Sequence, residues 1–303
     1  MNFKQETEKR TAYIEQILLS YLPQEAGYQK TVIAAMNYSM KAGGKRIRPL
    51  LMWETYKMFG GKGQIIEPFM AAIEMIHTYS LVHDDLPAMD NDEYRRGKKT
   101  THIVYGEAMA ILAGDALLNL AFETALSALI DVDVSDGIAE EKRTARALMV
   151  LAKRAGIYGM IGGQTADIEA EEKINETDEE NLIFIHKHKT SALIQSAMSI
   201  GAILAGANED EIIAMENCAM NIGLAFQIQD DILDITSSTE ILGKPIGSDE
   251  KNKKITYVTL KGLEQSQNDV AKFSKDALTI LNSFNNKNDY LTALVESLIT
   301  REK

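Results

Sequence analysis

The chain is 303 residues long and carries 32 Lys and Arg against 44 Asp and Glu, a formal net charge of −12 at pH 7. That balance excludes nucleic-acid binders that work by neutralising phosphates, and it argues against docking on an anionic membrane surface. The single cysteine, Cys218, has no internal partner for a disulfide, and the opening MNFKQETEKR is charged where a secretory leader needs an apolar stretch. The longest weakly polar run, Ser191 to Ala207, is interrupted by Gln195 and is too short to span a bilayer. The expectation is a cytoplasmic protein without membrane insertion.

Five prolines, at 23, 49, 68, 87 and 245, leave long intervals without strand-punctuating clusters. Between Tyr105 and Leu129 apolar residues such as Ala108, Ile111, Leu112, Leu118, Phe122 and Leu129 recur every three or four positions, and 137–161, 178–206 and 209–235 follow the same period. These are helices. Thr177 or Asp178 before EENLIF supplies a capping oxygen and a carboxylate-rich first turn. Breaks are expected at GGKGQ (60–64), NDEYRRGKKTT (91–101), DVDVSD (131–136) and from Thr236 to Lys254. No repeat of 20 to 50 residues suggests a solenoid, and no break resembles a domain linker. The pattern predicts an all-α fold, with residues 1–303 as one large helical domain.

Two acidic clusters follow apolar helices. The first is HDDLPAMD at 83–90; Pro87 should end its helix and let Asp90 turn back toward Asp84. The second is QIQDDILD at 227–234, in which Gln227, Asp230, Asp231 and Asp234 share one helix face and repel unless a cation offsets them. A solvated acidic helix end explains one such run, but two are harder to assign to composition. Neither has the spacing of a calcium loop, and sparse carboxylates suit Mg²⁺, which completes its shell with water and substrate phosphate. Basic residues are also grouped, at Gly43 to Arg48, at Arg95 to Lys99, at His186 to Lys189 and at Lys244 to Lys254. In an acidic chain such groups fit the oxygens of a small diphosphate.

The ordered set GGKRIRP (43–49), HTYSLVHDDLPAMDNDEYRRGKKTTH (77–102), GMIGGQTADIEAE (159–171), HKHKTSALI (186–194), LAFQIQDDILD (224–234), LGKPIGSD (242–249) and KITYVTLKGLE (254–264) covers nearly the whole chain. It resembles the trans-prenyltransferases of the polyprenyl synthase family, and within them the bacterial farnesyl diphosphate synthases. The resemblance implies a helical bundle around a deep central cavity, and usually a homodimer. By the same resemblance, Asp84, Asp85, Asp90 and Asp230 hold Mg²⁺, three ions per active site, against an allylic diphosphate. Asp231 and Asp234 assist them, and Arg95, Lys189, Lys244 and Lys254 are the cationic partners of that diphosphate. Gly44, Lys45, Arg48, His77 and Arg96 resemble the site for isopentenyl diphosphate. Lys189, Thr190 and Gln227 resemble the residues whose dipoles face a carbocation.

Tyr79, with Ser80 beside it, stands where the family places the floor of the product pocket, and a bulky aromatic there implies a fifteen-carbon product over a twenty-carbon one. A plain core role for Tyr79 is the simpler alternative. The segment 236–254 is a candidate lid that excludes water. Asn91, Glu93, Tyr94, Lys99 and Ile255 depart from the family's usual residues without removing a proposed ligand. A terpene cyclase would carry a different second metal motif, and a catalytically silent partner subunit usually loses one acidic motif.

Overall fold

In a computed structural model the described residues are 2–130, 137–172, 178–236 and 255–299. The helices are α1 (Phe3–Ser20), α2 (Lys30–Met40), α3 (Ile47–Met58), α4 (Glu67–Asp84), α5 (Thr101–Tyr105), α6 (Glu107–Ile130), α7 (Gly137–Ala155), α8 (Met160–Glu172), α9 (Glu179–Ile185), α10 (Ala192–Ala205), α11 (Glu209–Thr236), α12 (Tyr257–Lys261), α13 (Leu263–Ser283) and α14 (Asp289–Ile299). Among the described residues the strands are the pairs β1 (Tyr94–Arg95) and β2 (Lys98–Lys99), which form one hairpin between α4 and α5. The all-α expectation holds. The chain divides into two compact units, Met1–Trp53 with Lys62–Leu148, and Glu54–Gly61 with Met149–Lys303.

In the first unit α4 is the core helix. Phe69, Met70, Ala71, Ala72, Ile73, Met75 and Ile76 are wholly inaccessible, and α4 packs against α1, α2 and α6. A helix apolar on all sides belongs inside. One charged residue on it, Glu74, is buried too, and Arg46 answers it at 2.7 Å; Arg46 also bonds Glu15 at 2.7 Å and the Met40 carbonyl at 2.6 Å. At the far end of α4, His83 reaches the Ile111 carbonyl of α6 at 3.1 Å, and it lies where a side chain on Gly114 would have to sit. Helix α6 buries Ala110, Ala113, Leu117, Ala121 and Ala125 and leaves Ile111, Leu112, Leu126 and Ile130 exposed. It is longer than the 191–207 run and is the one described helix long and apolar enough to cross a membrane, although Glu107, Asp115 and Glu123 are exposed along it.

In the second unit α11 is central, packed on α10, α12, α13 and α14. The periodicity over 137–161 does not give one helix: a turn at Gly156–Gly159 interrupts it, where a side chain on Gly159 would collide with the Arg154 carbonyl. Asp178 caps α9 as anticipated, accepting from the Asn181 amide at 2.9 Å. Between α9 and α10 the helix widens into a π-helical turn over His186–Ser191, which includes all four residues of one basic group, His186 to Lys189, together with Thr190. Such turns add a residue to the spiral and often mark functional sites.

Two short helices share one construction. Helix α5 follows Thr100 and ends at Gly106 (φ 82°, ψ 158°), while α12 follows Thr256 and ends at Gly262 (φ 79°, ψ 160°). Those backbone angles are essentially restricted to glycine. Each short helix leads into a long one.

Candidate active site

The first acidic cluster folds as its spacing predicts. Helix α4 ends at Asp84, and the Asp90 amide donates to the Asp84 carbonyl at 2.8 Å, so the loop through Pro87 returns to its start. Asp85 is buried, and its carboxylate takes Arg95 Nε at 2.6 Å. Burial pushes the Asp85 carboxyl up to about 6 against the opposing pull of Arg95. Among the described residues no three carboxylate, His or Cys side chains form a ready metal cage, so Asp84, Asp85 and Asp90 are not gathered round a common point.

Both β-hairpin arginines are held in place. The two-residue loop Arg96–Gly97 has positive φ at both positions, 54° and 75°, as a type I′ turn requires, and glycine suits it better than arginine. Arg96 donates to the Gly43 carbonyl and lies over Gly44, whose φ of 142° and lack of a side chain leave room for the guanidinium. Tyr38 binds the Lys99 carbonyl at 2.7 Å, and Ser39 and Thr101 share a hydrogen bond at 2.8 Å, which fastens the hairpin and α5 to α2.

Arg48 has a buried Nε without a hydrogen-bond partner among the described residues. Its pKa is lowered, chiefly by burial, as is that of Arg96. His77 lies among these cations: burial first, then Arg48, Arg96, Arg95 and Arg46, hold it well below its ordinary pKa and therefore neutral. Excess positive charge in a partly buried place, with a donor left over, is chemistry that waits for an anion. Gly44, Arg48, His77 and Arg96 are thus brought together, whereas Lys45 is exposed and Arg46, from the same basic run, is committed to Glu74 and Glu15.

In the second unit Lys189 pairs with Asp167 at 2.5 Å. Asp167 stands in the 159–171 motif with no individual mark of its role; its signal is Gly163, where a side chain would collide with the Lys189 backbone and which brings α8 against the π-helical turn. Thr190 donates to the Gln227 amide oxygen at 2.8 Å, which joins two of the three residues that the resemblance implies face a carbocation. Asp230, Asp231 and Asp234 lie along the last turns of α11. Asp231 is buried and accepts from the Tyr257 backbone amide at 2.7 Å, and His186 Nε2 lies 3.8 Å from the same oxygen. Lys244, Lys254 and the candidate lid of 236–254, apart from Thr236, lie outside the described residues.

Burial lowers the pKa of His186 to about 4. An unfolded chain protonates this residue near pH 6.5, so the folded state binds fewer protons below that pH and stability falls as pH falls from about 6.5 toward 4. Between pH 7.5 and 5 this single residue should remove about 2 kcal/mol of unfolding free energy. Urea unfolding of the wild-type chain and of His186→Gln at both pH values should show the wild type losing more by that amount; equal losses would rule the linkage out.

The described residues are almost entirely helical, with adjacent aspartates at the end of α4 and in the last turns of α11. The sequence profile described as polyprenyl synthetase matches residues 29–297. A farnesyl diphosphate synthase from Geobacillus stearothermophilus is 45% identical over 258 residues, 85% of this chain and 84% of that relative. A geranylgeranyl diphosphate synthase from Cyanophora paradoxa is 42% identical over 293 residues, 97% of this chain and 94% of its own. The solved structure of an FPP/GFPP synthase from Zymomonas mobilis superposes with a TM-score of 0.86 at 32% identity, over 99% of both chains. The chain has the isoprenoid synthase fold and belongs to the polyprenyl synthetase family; it is a short-chain trans-prenyltransferase.

Proposed function

We propose that this trans-prenyltransferase condenses dimethylallyl or geranyl diphosphate with isopentenyl diphosphate to give farnesyl diphosphate and diphosphate. The observation that carries the reading is the paired arrangement of anion-seeking and cation-seeking groups: Arg48, Arg96 and neutral His77 in one unit, and Asp84 with Asp90 at the end of α4. Lys189, Thr190 and Gln227 beside Asp230 repeat the combination in the other unit.

The donor set fits Mg²⁺, which is commonly held by one or two carboxylates together with substrate phosphates and does not need a protein cage of three. Asp84, Asp85, Asp90 and Asp230 would hold it, and the chemistry it supplies there is neutralisation of charge on the diphosphate oxygens. Arg95 and Lys189, each now paired with a carboxylate, exchange that partner for the allylic diphosphate and stabilise negative charge as the C–O bond breaks. Gly44, Arg48, His77 and Arg96 hold isopentenyl diphosphate, with Gly44 letting the guanidinium of Arg96 approach the backbone. The Thr190 and Gln227 oxygens face the allylic cation. The isopentenyl double bond attacks it, and the released diphosphate takes the proton whose loss restores the alkene.

Tyr79 sets the product length in this reading. It is buried, stands edge-on to His83 at 5.8 Å, and has a hydroxyl pushed up to about 12 by burial and then by Asp84. Because His83 is itself seated against α6 at Gly114, Tyr79 is backed by a rigid contact rather than by solvent. Incubation with isopentenyl and geranyl diphosphates, followed by reverse-phase chromatography of the dephosphorylated alcohols, should give a fifteen-carbon main product. Tyr79→Ala should move it to twenty carbons or more, and an unchanged distribution would remove Tyr79 from the pocket floor. A twenty-carbon main product from the wild-type chain would favour the geranylgeranyl reading that the Cyanophora paradoxa relative supports. The exposed Ile111, Leu112, Leu126 and Ile130 of α6, with Ile103 and Val104 of α5, support assembly as a homodimer, which sedimentation velocity reads directly.

A further inference from the structure

Asp231 stands beside the proposed metal ligand Asp230 and is hydrogen-bonded within the protein. One oxygen accepts from the Tyr257 backbone amide at 2.7 Å, at the start of α12, and the other accepts from Gln227 Nε2 at 3.5 Å. Gln227 in turn accepts from the Thr190 hydroxyl at 2.8 Å through Oε1. These bonds form a chain with a direction. A carboxylate can only accept, so Gln227 must turn its NH₂ to Asp231 and its oxygen to Thr190. Thr190 therefore spends its only proton on Gln227. The direction of the whole chain is decided at its buried end.

We infer that Asp231 is a positioning residue that fixes the orientation of the Gln227 amide and the Thr190 hydroxyl, so that both present oxygen lone pairs and no proton to the developing cation. The inference rests on the proposed role of Thr190 and Gln227. An isosteric Asn at 231 tests it, because Asn offers an NH₂ to Gln227. The amide then flips, its NH₂ faces Thr190, and the threonine hydroxyl is released to rotate its proton outward. Volume is kept and polarity reversed.

The test is a cycle of Asp231→Asn, Thr190→Val and the double variant, assayed with geranyl and isopentenyl diphosphates while Mg²⁺ is titrated. Asp231→Asn should lower kcat about 10- to 100-fold, with the Mg²⁺ half-saturation and the KM for isopentenyl diphosphate within about twofold of wild type. Thr190→Val should lower kcat comparably, and the double variant should be little worse than either. Asp231→Glu, which again only accepts, should recover part of the rate lost in Asp231→Asn; this variant keeps the test open if Asn disturbs folding. Multiplicative losses in the double variant, or a rate restored to Asp231→Asn by excess Mg²⁺, would overturn the inference and make Asp231 an independent metal-side group. Full activity in Thr190→Val alone would instead overturn the role of Thr190 on which the inference depends.

Discussion

Asp84→Ala should lower kcat by about three orders of magnitude while leaving the chain at least as stable as before. The two effects have different origins. For activity, the proposed function makes Asp84 one of the carboxylates that serve the diphosphate, and losing a group that stabilises developing charge in a preorganised site typically costs 10²- to 10³-fold or more. For stability, Asp84 is the last residue of α4 and Asp85 is its cap, so both negative charges sit at the end of a helix where the backbone carbonyls are already negative. Each such charge is unfavourable by about 0.3–1 kcal/mol. Single-turnover rates with geranyl and isopentenyl diphosphates, set beside urea midpoints, check both halves. A variant that loses stability in step with activity would show that Asp84 serves the fold.

The second large effect is on folding. Arg46→Met should cost about 3–5 kcal/mol, because it strands Glu74, 2% exposed, as a buried charge without its guanidinium. The double change Arg46→Met and Glu74→Met should recover most of that loss, since exchanging the whole pair for apolar side chains of similar size is often neutral. Glu15, the other partner, is about one-third exposed and can turn to water. Denaturant unfolding of the single and double variants checks this; a double variant less stable than the single would mean that the buried pair itself is a net source of stability.

Arg46 also shows where reading the sequence stops. The run Gly43 to Arg48 looks uniformly suited to a diphosphate, and composition cannot distinguish the arginine that turns inward from those left available. The distinction arises from Glu74, 28 residues away on an otherwise apolar helix. By contrast, the reversal from Asp84 through Pro87 to Asp90 was legible because proline forbids the continuing helix. The Asp178 cap was legible for a similar local reason. The π-helical turn at His186–Ser191 was invisible to a 3.6-residue period, since one added residue within a long apolar pattern leaves the pattern intact. The partners of Arg95 and Lys189 were hidden for another reason: an ion pair between residues 22 apart, such as Lys189 and Asp167, depends on how two helices pack.

The matching short helices that end at Gly106 and Gly262 extend this observation to the architecture as a whole. One lies in each compact unit, downstream of a helix with adjacent aspartates at its end (α4) or in its last turns (α11), and upstream of a long helix. A side chain at either glycine would have to adopt angles that it does not tolerate, so both junctions between a short helix and the long helix after it depend on the absence of a β-carbon.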